Sequence, residues 1–203
     1  MKFEIWPGLT PYPAGMDRMD AVLAEVLAGG DERVIFCEHE AVLTVGTSGD
    51  VADVGDDAGV PVLQTGRGGK VTYHGPGQRV VYLVVDLKRW NADVRVYVKW
   101  LQAWLVASLA ELGVVATGGE KDEIGVWVGD RKIAAIGVRV RKGVAYHGIS
   151  LNIENELGIY TRFVPCGITD KGVTSLSAEG LDVGMAAVDA VLRAKLIEML
   201  PKA

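Results

Sequence analysis

The residue best suited to a catalytic role is Cys166, which lies in the segment Val164-Pro165-Cys166-Gly167-Ile168. Proline and glycine on its two sides predict an irregular turn, where a thiol is presented to a ligand instead of being packed in a core. A thiolate is the nucleophilic form of cysteine, and a nearby cation lowers the pKa of a thiol from about 8.5. The segment therefore predicts a cysteine nucleophile, provided that a cation lies beside it.

Lys132 is the candidate for that cation. If its strand has no bulge, alternation puts Lys132 on an apolar face with Ala134, Ile136, Val138 and Val140. Arg139 and Arg141 then fall on the other face, in water. A buried ammonium group is costly unless an anion lies beside it, whereas a lysine at a strand end can extend along the surface to solvent. The pattern leaves both possibilities open.

Cys166 and Lys132 would satisfy each other if they met. The ammonium group would activate the thiol, and the thiolate would make the buried cation tolerable. Their spacing in the sequence does not prove such a contact. The pair is therefore a hypothesis about a cysteine-lysine site.

Other chemical motifs give weaker signals. Gly66-Arg67-Gly68-Gly69 would let backbone N–H groups approach a ligand closely, but it matches neither the phosphate loop nor the dinucleotide fingerprint, and a tight turn explains it equally well. His39, His74 and His147 are scattered without metal-ligand spacing, so we expect no metal site. No Gly-x-Ser-x-Gly elbow supports a serine hydrolase.

Length and composition bound the class of protein. A chain of 203 residues that is 49% hydrophobic is long enough for a full core and predicts one domain, residues 1–203, of mixed α/β class. No run of about 18 apolar residues and no signal-peptide pattern occurs, so we expect a soluble cytoplasmic protein with free thiols. Cys37, inside an apolar run, is expected to be a buried packing residue.

Charge is informative only locally. The net charge of −5 gives no reason to expect nucleic acid binding. Residues 131–142 nevertheless contain no acid and five cations, Arg131, Lys132, Arg139, Arg141 and Lys142. This segment is either a solvated hairpin or a docking patch for an acidic partner.

The elements that must position these residues follow from periodicity. Helices are predicted over residues 16–28, ending at Gly29-Gly30, from about Asp93 onward with a stripe of leucines, and over residues 185–200. That stripe is Leu101, Leu105, Leu109 and Leu112. Strands are predicted over residues 33–45 with an interruption at 38–40, then over 70–74 and 79–87. Residues 124–153 read as a meander with turns at Gly129-Asp130 and at 141–143.

Two of these strands contain similar five-residue segments, a short sequence echo. Val71-Thr72-Tyr73-His74-Gly75 recurs as Val144-Ala145-Tyr146-His147-Gly148. Five residues are too few to indicate a duplication. Two strands that line one cleft would explain the echo.

With these segments in view, the sequence resembles the octanoyltransferases of lipoate biosynthesis, also called lipoate-protein ligase B. Three blocks carry the resemblance, in the family's order and over nearly the whole chain: Arg67-Gly68-Gly69-Lys70-Val71-Thr72-Tyr73-His74-Gly75-Pro76-Gly77-Gln78, residues 132–140 continuing into Tyr146-His147-Gly148-Ile149-Ser150-Leu151-Asn152, and residues 164–168 followed by 172–176. The segment around Glu38-His39-Glu40 also matches, with Ala41 where proline is usual.

The resemblance implies a fold and a set of site residues. The fold is the α/β (α+β) catalytic core of biotin and lipoate protein ligases, with mixed β-sheets flanked by helices. Cys166 matches the cysteine that forms an acyl thioester, and Lys132 matches the lysine that lowers its pKa and acts as general acid and base. The matched substrate-binding residues are Arg67, Gly68, Gly69, Lys70, Val71, Thr72, Tyr73, His74, Ala135, Ile136, Gly137, Gly148, Ile149 and Ser150.

The resemblance also implies partners. The donor is octanoyl-acyl carrier protein, and the acceptors are lysines of the lipoyl domains of 2-oxoacid dehydrogenase E2 subunits and of glycine cleavage H protein. No cofactor, ATP or metal is expected, since the reaction exchanges one thioester for another. Backbone N–H groups near residues 75–77 or Gly167 are candidates for holding the oxyanion. The alternatives are an ATP-dependent lipoate or biotin ligase and a noncatalytic protein that binds acyl carriers.

Overall fold

Two mixed β-sheets organise the computed structural model, which describes residues 1–54, 59–120, 123–163 and 172–201. The described strands are β1 (Lys2–Thr10), β2 (Arg33–His39), β3 (Val42–Val45), β4 (Val62–Gln64), β5 (Val71–His74), β6 (Gln78–Asp86), β7 (Thr117–Gly118), β8 (Val126–Val128), β9 (Arg131–Arg141), β10 (Val144–Asn152) and β11 (Gly172–Val173). Within these residues the larger sheet has the order β1-β2-β6-β10-β9-β8-β7, with β11 beside β9, and the smaller sheet has the order β4-β3-β5.

Helices cover both faces of the larger sheet. They are α1 (Tyr12–Leu27), α2 (Val94–Glu111) and α3 (Met185–Met199). Helices α2 and α3 share one core with the sheet, built around Trp104, Leu105 and Leu192, whereas α1 packs on the opposite face. Because β6 is covered on both faces, its sequence is a continuous apolar run and not an alternating one. Among the described helices, none has the length and apolar character needed to cross a bilayer.

Most predicted elements are present, and their local chemistry explains them. Helix α2 begins where expected because the Asp93 carboxylate accepts hydrogen bonds from the N–H groups of Arg95 and Val96. Leu101, Leu105 and Leu109 are fully buried. The β9–β10 turn forms as predicted, with Lys142 and Gly143 at φ 51° and 88°, the positive φ values of a two-residue hairpin turn.

Helix α1 begins four residues earlier than predicted. Pro11 stands at its N-cap, and Pro13 lies in the first turn. Proline is compatible with that turn because the first N–H groups of a helix have no intrahelical acceptor. The predicted strand over residues 33–45 is also two strands, β2 and β3, which belong to different sheets.

At Gly15, α1 packs closely against His39 of β2. A β-carbon at this position would lie 2.8 Å from Cε1 of His39. The His39 ring cannot easily move, because it is fully buried and its Nδ1 and Nε2 lie 2.8 Å from the Thr10 carbonyl and 2.6 Å from the Tyr82 hydroxyl. The absence of a side chain at residue 15 therefore lets α1 close over His39.

We expect Gly15→Ala to destabilise the protein. Alanine favours a helix by about 1 kcal/mol over glycine, but overpacking a rigid core costs about 1–3 kcal/mol. The net loss of unfolding free energy should be about 0–2 kcal/mol by urea denaturation. The exposed Ala14→Gly variant measures the helix contribution alone, and a Gly15→Ala protein more stable than wild type would contradict the contact.

Candidate active site

An open cavity lies between the smaller sheet and the α1 face of the larger sheet. Water-sized molecules have about 50 Å³ of space in it, and the empty space is about 510 Å³ when the part open to solvent is included. Thirteen of the fourteen residues predicted to bind substrate line it: Arg67, Gly68, Gly69, Lys70, Val71, Thr72, His74, Ala135, Ile136, Gly137, Gly148, Ile149 and Ser150. The structure thus brings three separate stretches of sequence to one place, and their role in binding stays a prediction.

Tyr73 is the predicted residue that lies elsewhere. Alternation along β5 turns Thr72 and His74 toward the cavity, and the Tyr73 ring packs in the separate core of the smaller sheet, edge-on to Tyr160 at 5.9 Å.

Five cavity residues were missing from the predicted set. They are Tyr12, Val80, Tyr82, Ile124 and His147. The echo between the two Tyr-His-Gly segments was the signal for His147, since both histidines line this one cavity. Tyr12 and Tyr82 come from α1 and β6, outside the matched blocks, so the sequence offered no signal for them.

Lys132 is buried, but on a different face from the one that alternation predicted. The β8–β9 pairing passes from Val126 with Ala134 to Trp127 with Lys132, which leaves Ile133 as the extra residue of a bulge. Ile133 and Ala134 both pack in the core under α2. The prediction that Lys132 shares the face of Ala134 is therefore wrong, because it assumed an unbroken strand.

The bulge directs Lys132 to the edge of the cavity. Only 7% of the residue is exposed, and its Nζ donates to the carbonyl of Ile124, a cavity residue, at 3.1 Å. The same Nζ lies 4.9 Å from the centre of the Trp127 ring, a distance at which an aromatic face attracts a cation. A buried ammonium group is thus held next to a residue of the cavity wall.

Cys166 and Gly167 lie in residues 164–171, outside the described residues. The turn at residues 75–77, the other suggested oxyanion site, lies within the described residues. The Gly77 N–H donates to Oε1 of Glu38 at 3.0 Å, and this turn is not part of the cavity wall. The Gly77 N–H group therefore already has a carboxylate partner, and the expectation that N–H groups near residues 75–77 or Gly167 hold an oxyanion stays a prediction.

Arg67 holds the glycine-rich segment, residues 66–69, in place through its hydrogen bonds. Its guanidinium donates to the carbonyl oxygens of Thr44, Gly68 and Lys70 at 2.6–2.9 Å and to the Thr44 hydroxyl. The segment in turn lies against β9, where a β-carbon at Gly137 would be 3.1 Å from the Gly68 carbonyl oxygen. The side chain therefore fixes the shape of the cavity wall.

A hydrogen-bond network sets the tautomer of His74. Gln78 donates through Nε2 to the Tyr73 carbonyl and to Asn152, so its Oε1 is the atom that accepts from His74 Nδ1, at 2.8 Å. Burial, with help from the charge of Arg67, lowers the pKa of His74 to about 3. The ring is therefore neutral, with its proton on Nδ1 and a lone pair on Nε2. The site gains a fixed hydrogen-bond acceptor and not a strong base.

His147 enters the cavity through an unusual backbone conformation. Its φ of 63° interrupts the alternation of β10, and its ring stacks on that of the preceding Tyr146 at 5.1 Å. Only 5% of the residue is exposed. Burial, with the charges of Arg67 and Arg139, lowers the pKa of His147 to about 3. Strain of this kind is typical of functional sites.

Cys37 is a packing residue by its surroundings. It is fully buried under α1, and burial raises the pKa of its thiol to about 12. A thiol held in this neutral form is a poor nucleophile.

The buried histidines make stability depend on pH. Between their ordinary pKa of 6.5 and the folded value of about 3, the unfolded chain binds protons that the folded chain does not. Unfolding free energy should therefore fall as the pH drops below 6.5, by at most about 1.4 kcal/mol per pH unit for each histidine. Urea denaturation at pH 7.5 and 5 measures this slope. The slope should be shallower in a His74→Gln, His147→Gln double variant, and an equal slope would contradict the assignment.

Comparisons with known proteins agree with this arrangement. The family described as the lipoyl protein ligase A/B catalytic domain matches residues 11–197. An octanoyltransferase of Parvibaculum lavamentivorans is 48% identical over 90% of this chain and 85% of its own length. A second octanoyltransferase, from Dinoroseobacter shibae, is 45% identical over 95% of this chain and 94% of its own.

Solved structures show the same fold. A lipoate-protein ligase A bound with ATP superposes with a TM-score of 0.78 at 19% identity, over 98% of this chain and 86% of that one. A bipartite lipoate protein ligase from Thermoplasma acidophilum gives 0.75 at 21% identity, over 98% and 83%. The predicted ligase-like α/β core is thereby confirmed. Together with the sequence matches, these likenesses establish that the chain belongs to the lipoyl protein ligase A/B catalytic domain family and, within it, to the octanoyltransferases.

Proposed function

We propose that this enzyme transfers an octanoyl group from octanoyl-acyl carrier protein to a specific lysine of lipoyl domains, through a thioester on Cys166. The acceptors are the lipoyl domains of 2-oxoacid dehydrogenase E2 subunits and glycine cleavage H protein, and the reaction is the first step of their lipoylation. The observation that carries the proposal is the convergence of three matched stretches on one cavity, with Lys132 buried at its edge.

The first half-reaction loads the enzyme. The Cys166 thiolate attacks the carbonyl carbon of the carrier thioester, a new S–C bond forms, and the bond from that carbon to the carrier sulfur breaks. The departing carrier thiolate takes a proton from the Lys132 ammonium group. Because one thioester replaces another of similar energy, the step requires neither ATP nor a metal ion.

The second half-reaction makes an amide. Lys132, now neutral, accepts a proton from the ammonium group of the incoming lysine, and the freed amine attacks the thioester carbon. The N–C bond forms, the C–S bond to Cys166 breaks, and a second proton passes to solvent. Cys166 thiolate and Lys132 ammonium are restored together. The position of Lys132 supports this role, since its Nζ lies at the edge of the cavity, 3.1 Å from the carbonyl of Ile124.

His74 has an orienting role in this scheme. A group whose pKa is about 3 cannot hold the amine proton at neutral pH. Its Nε2 lone pair can still accept a hydrogen bond from the incoming amine, in a direction fixed by Gln78. Proton transfer therefore falls to Lys132.

The first test is Cys166→Ser. Because one lysine cannot ionise a serine hydroxyl, transfer from octanoyl carrier to a lipoyl domain without ATP should fall by at least about 10³-fold. Intact mass after mixing wild type with octanoyl carrier should show one octanoyl adduct, and the variant should show none.

Cys37→Ala is the matched control. It should keep the adduct and the transfer activity while losing about 1 kcal/mol of stability. Normal transfer by a Cys166→Ser, Cys37→Ala double variant would exclude the thioester mechanism, and a need for ATP in the wild type would favour a ligase.

The second test separates the half-reactions with Lys132→Arg. Arginine can pair with a thiolate but does not give up a proton at working pH. We expect slow loading of Cys166 and then an acyl-enzyme that persists, with the second half-reaction slowed by about 10²-fold or more. Quenched-flow mass spectrometry follows both steps. Lys99→Arg, on an exposed face of α2, is the control, and normal turnover of the Lys132→Arg acyl-enzyme would exclude Lys132 as the base.

A further inference from the structure

The face of strand β9 that lines the cavity continues beyond the cavity as a row of positively charged side chains. Ala135 and Gly137 line the cavity, and Arg139 and Arg141 follow on the same strand face, since side chains alternate. The β9–β10 pairing is regular over this stretch, from Ala134 with Leu151 to Arg141 with Val144. No bulge therefore interrupts the row between the cavity and the hairpin turn.

Arg139 stands beside the cavity. Its guanidinium occupies the space that a β-carbon at Gly66 would need, in the segment that leads into the cavity wall. Its charge is close enough to contribute to the lowered pKa of His147. Lys70, also exposed, lines the same cavity. A ligand that enters here meets positive charge first.

The row continues over the turn. Arg141 and Lys142 are exposed, and the side chain of Lys88 lies against Gly143, its Cε 3.3 Å from the position of a β-carbon there. Residues 131–152 contain no acid. On the neighbouring strand, the Asp86 carboxylate accepts from the Lys88 backbone N–H and faces Arg89 at 3.8 Å. In a chain of net charge −5 this surface is a local exception.

We propose that Arg139, Arg141, Lys142 and Lys88 form a basic track that docks the acidic acyl carrier protein. This inference rests on the proposed function and adds the donor's binding surface to it. The acyl chain of a carrier is attached through a long arm that begins at a phosphate. Arg139, next to the cavity, is placed for that phosphate, and a guanidinium binds phosphate oxygens in a bidentate manner. The outer cations face the carrier's acidic body.

The phosphate favours the donor over the acceptor. The lysine side chain that a lipoyl domain inserts is itself cationic and gains nothing from a guanidinium at the cavity. Exposed charges of this kind act mainly on the rate of encounter, and salt screens them over about 8–10 Å. The track should therefore affect use of the carrier much more than the chemical steps.

The main experiment compares Arg141→Glu, Lys142→Glu with a matched variant, Arg95→Glu, Lys99→Glu. The control changes net charge equally at two exposed residues of α2, under the opposite face of the sheet. At about 20 mM salt we expect the hairpin variant to raise the KM for octanoyl carrier by about tenfold and the control by less than about twofold. The difference should largely vanish at about 0.5 M salt.

Small donors separate the phosphate from the protein body. Octanoyl-phosphopantetheine should be used better than octanoyl-pantetheine by the wild type, and Arg139→Ala should remove that preference. In the hairpin variant, the fold increase in KM should be at least about five times larger for the carrier than for octanoyl-pantetheine.

Three outcomes would overturn the basic track. They are an unchanged KM for the carrier at low salt, an equal rise in the α2 control, and a rise confined to the lipoyl-domain acceptor, which would assign the track to that partner instead. Failure of the proposed function is separate, because it would appear as a wild type that transfers no octanoyl group from any of the three donors.

Discussion

The cavity depends on one buried positive charge. Arg67 lies between two sheets, and the carbonyl oxygens that receive its N–H groups belong to β3, to the glycine-rich segment and to the start of β5. Its aliphatic part lies against Gly137 of the larger sheet. A guanidinium can satisfy several carbonyls at once because its donors form a rigid planar fork, which an ammonium group lacks. Arg67 therefore fixes the glycine-rich segment to the smaller sheet, and its side chain fills the space next to Gly137 of the larger sheet.

Burial, with a smaller contribution from this charge, sets the acid–base character of the two cavity histidines. Burial and Arg67 together keep His74 and His147 neutral, so the imidazoles offer hydrogen bonds without competing for protons. Lys132 lies at the edge of the cavity, close to the Ile124 carbonyl and the Trp127 ring. The proposed mechanism thus gives orientation to the imidazoles and proton transfer to the lysine.

Local chemistry made part of this arrangement predictable. The Asp93 cap, the leucine stripe of α2 and the Lys142-Gly143 turn each depend on a few neighbouring residues, and the sequence contains those signals. The strand face on which Lys132 lies could not be predicted in this way, because the bulge that determines it arises from pairing with β8. The conformation of His147 and the contributions of Tyr12 and Tyr82 depend on tertiary contacts for the same reason. The resemblance located the stretches of the cavity, and only the fold determined which side chains face it.

The position of β10 in the middle of the larger sheet has a consequence for recognition. Residues 148–150 pair with β6 on one side and with β9 on the other, so their peptide groups are already engaged in both ladders. This wall can present contour and van der Waals contact to a ligand, but no directional polar contact from its main chain. Such a surface selects ligands by shape and apolar contact and is indifferent to which carbon of a saturated chain lies against it. A hydrocarbon chain, which has no polar group to match, is the kind of ligand that a wall of this type accommodates.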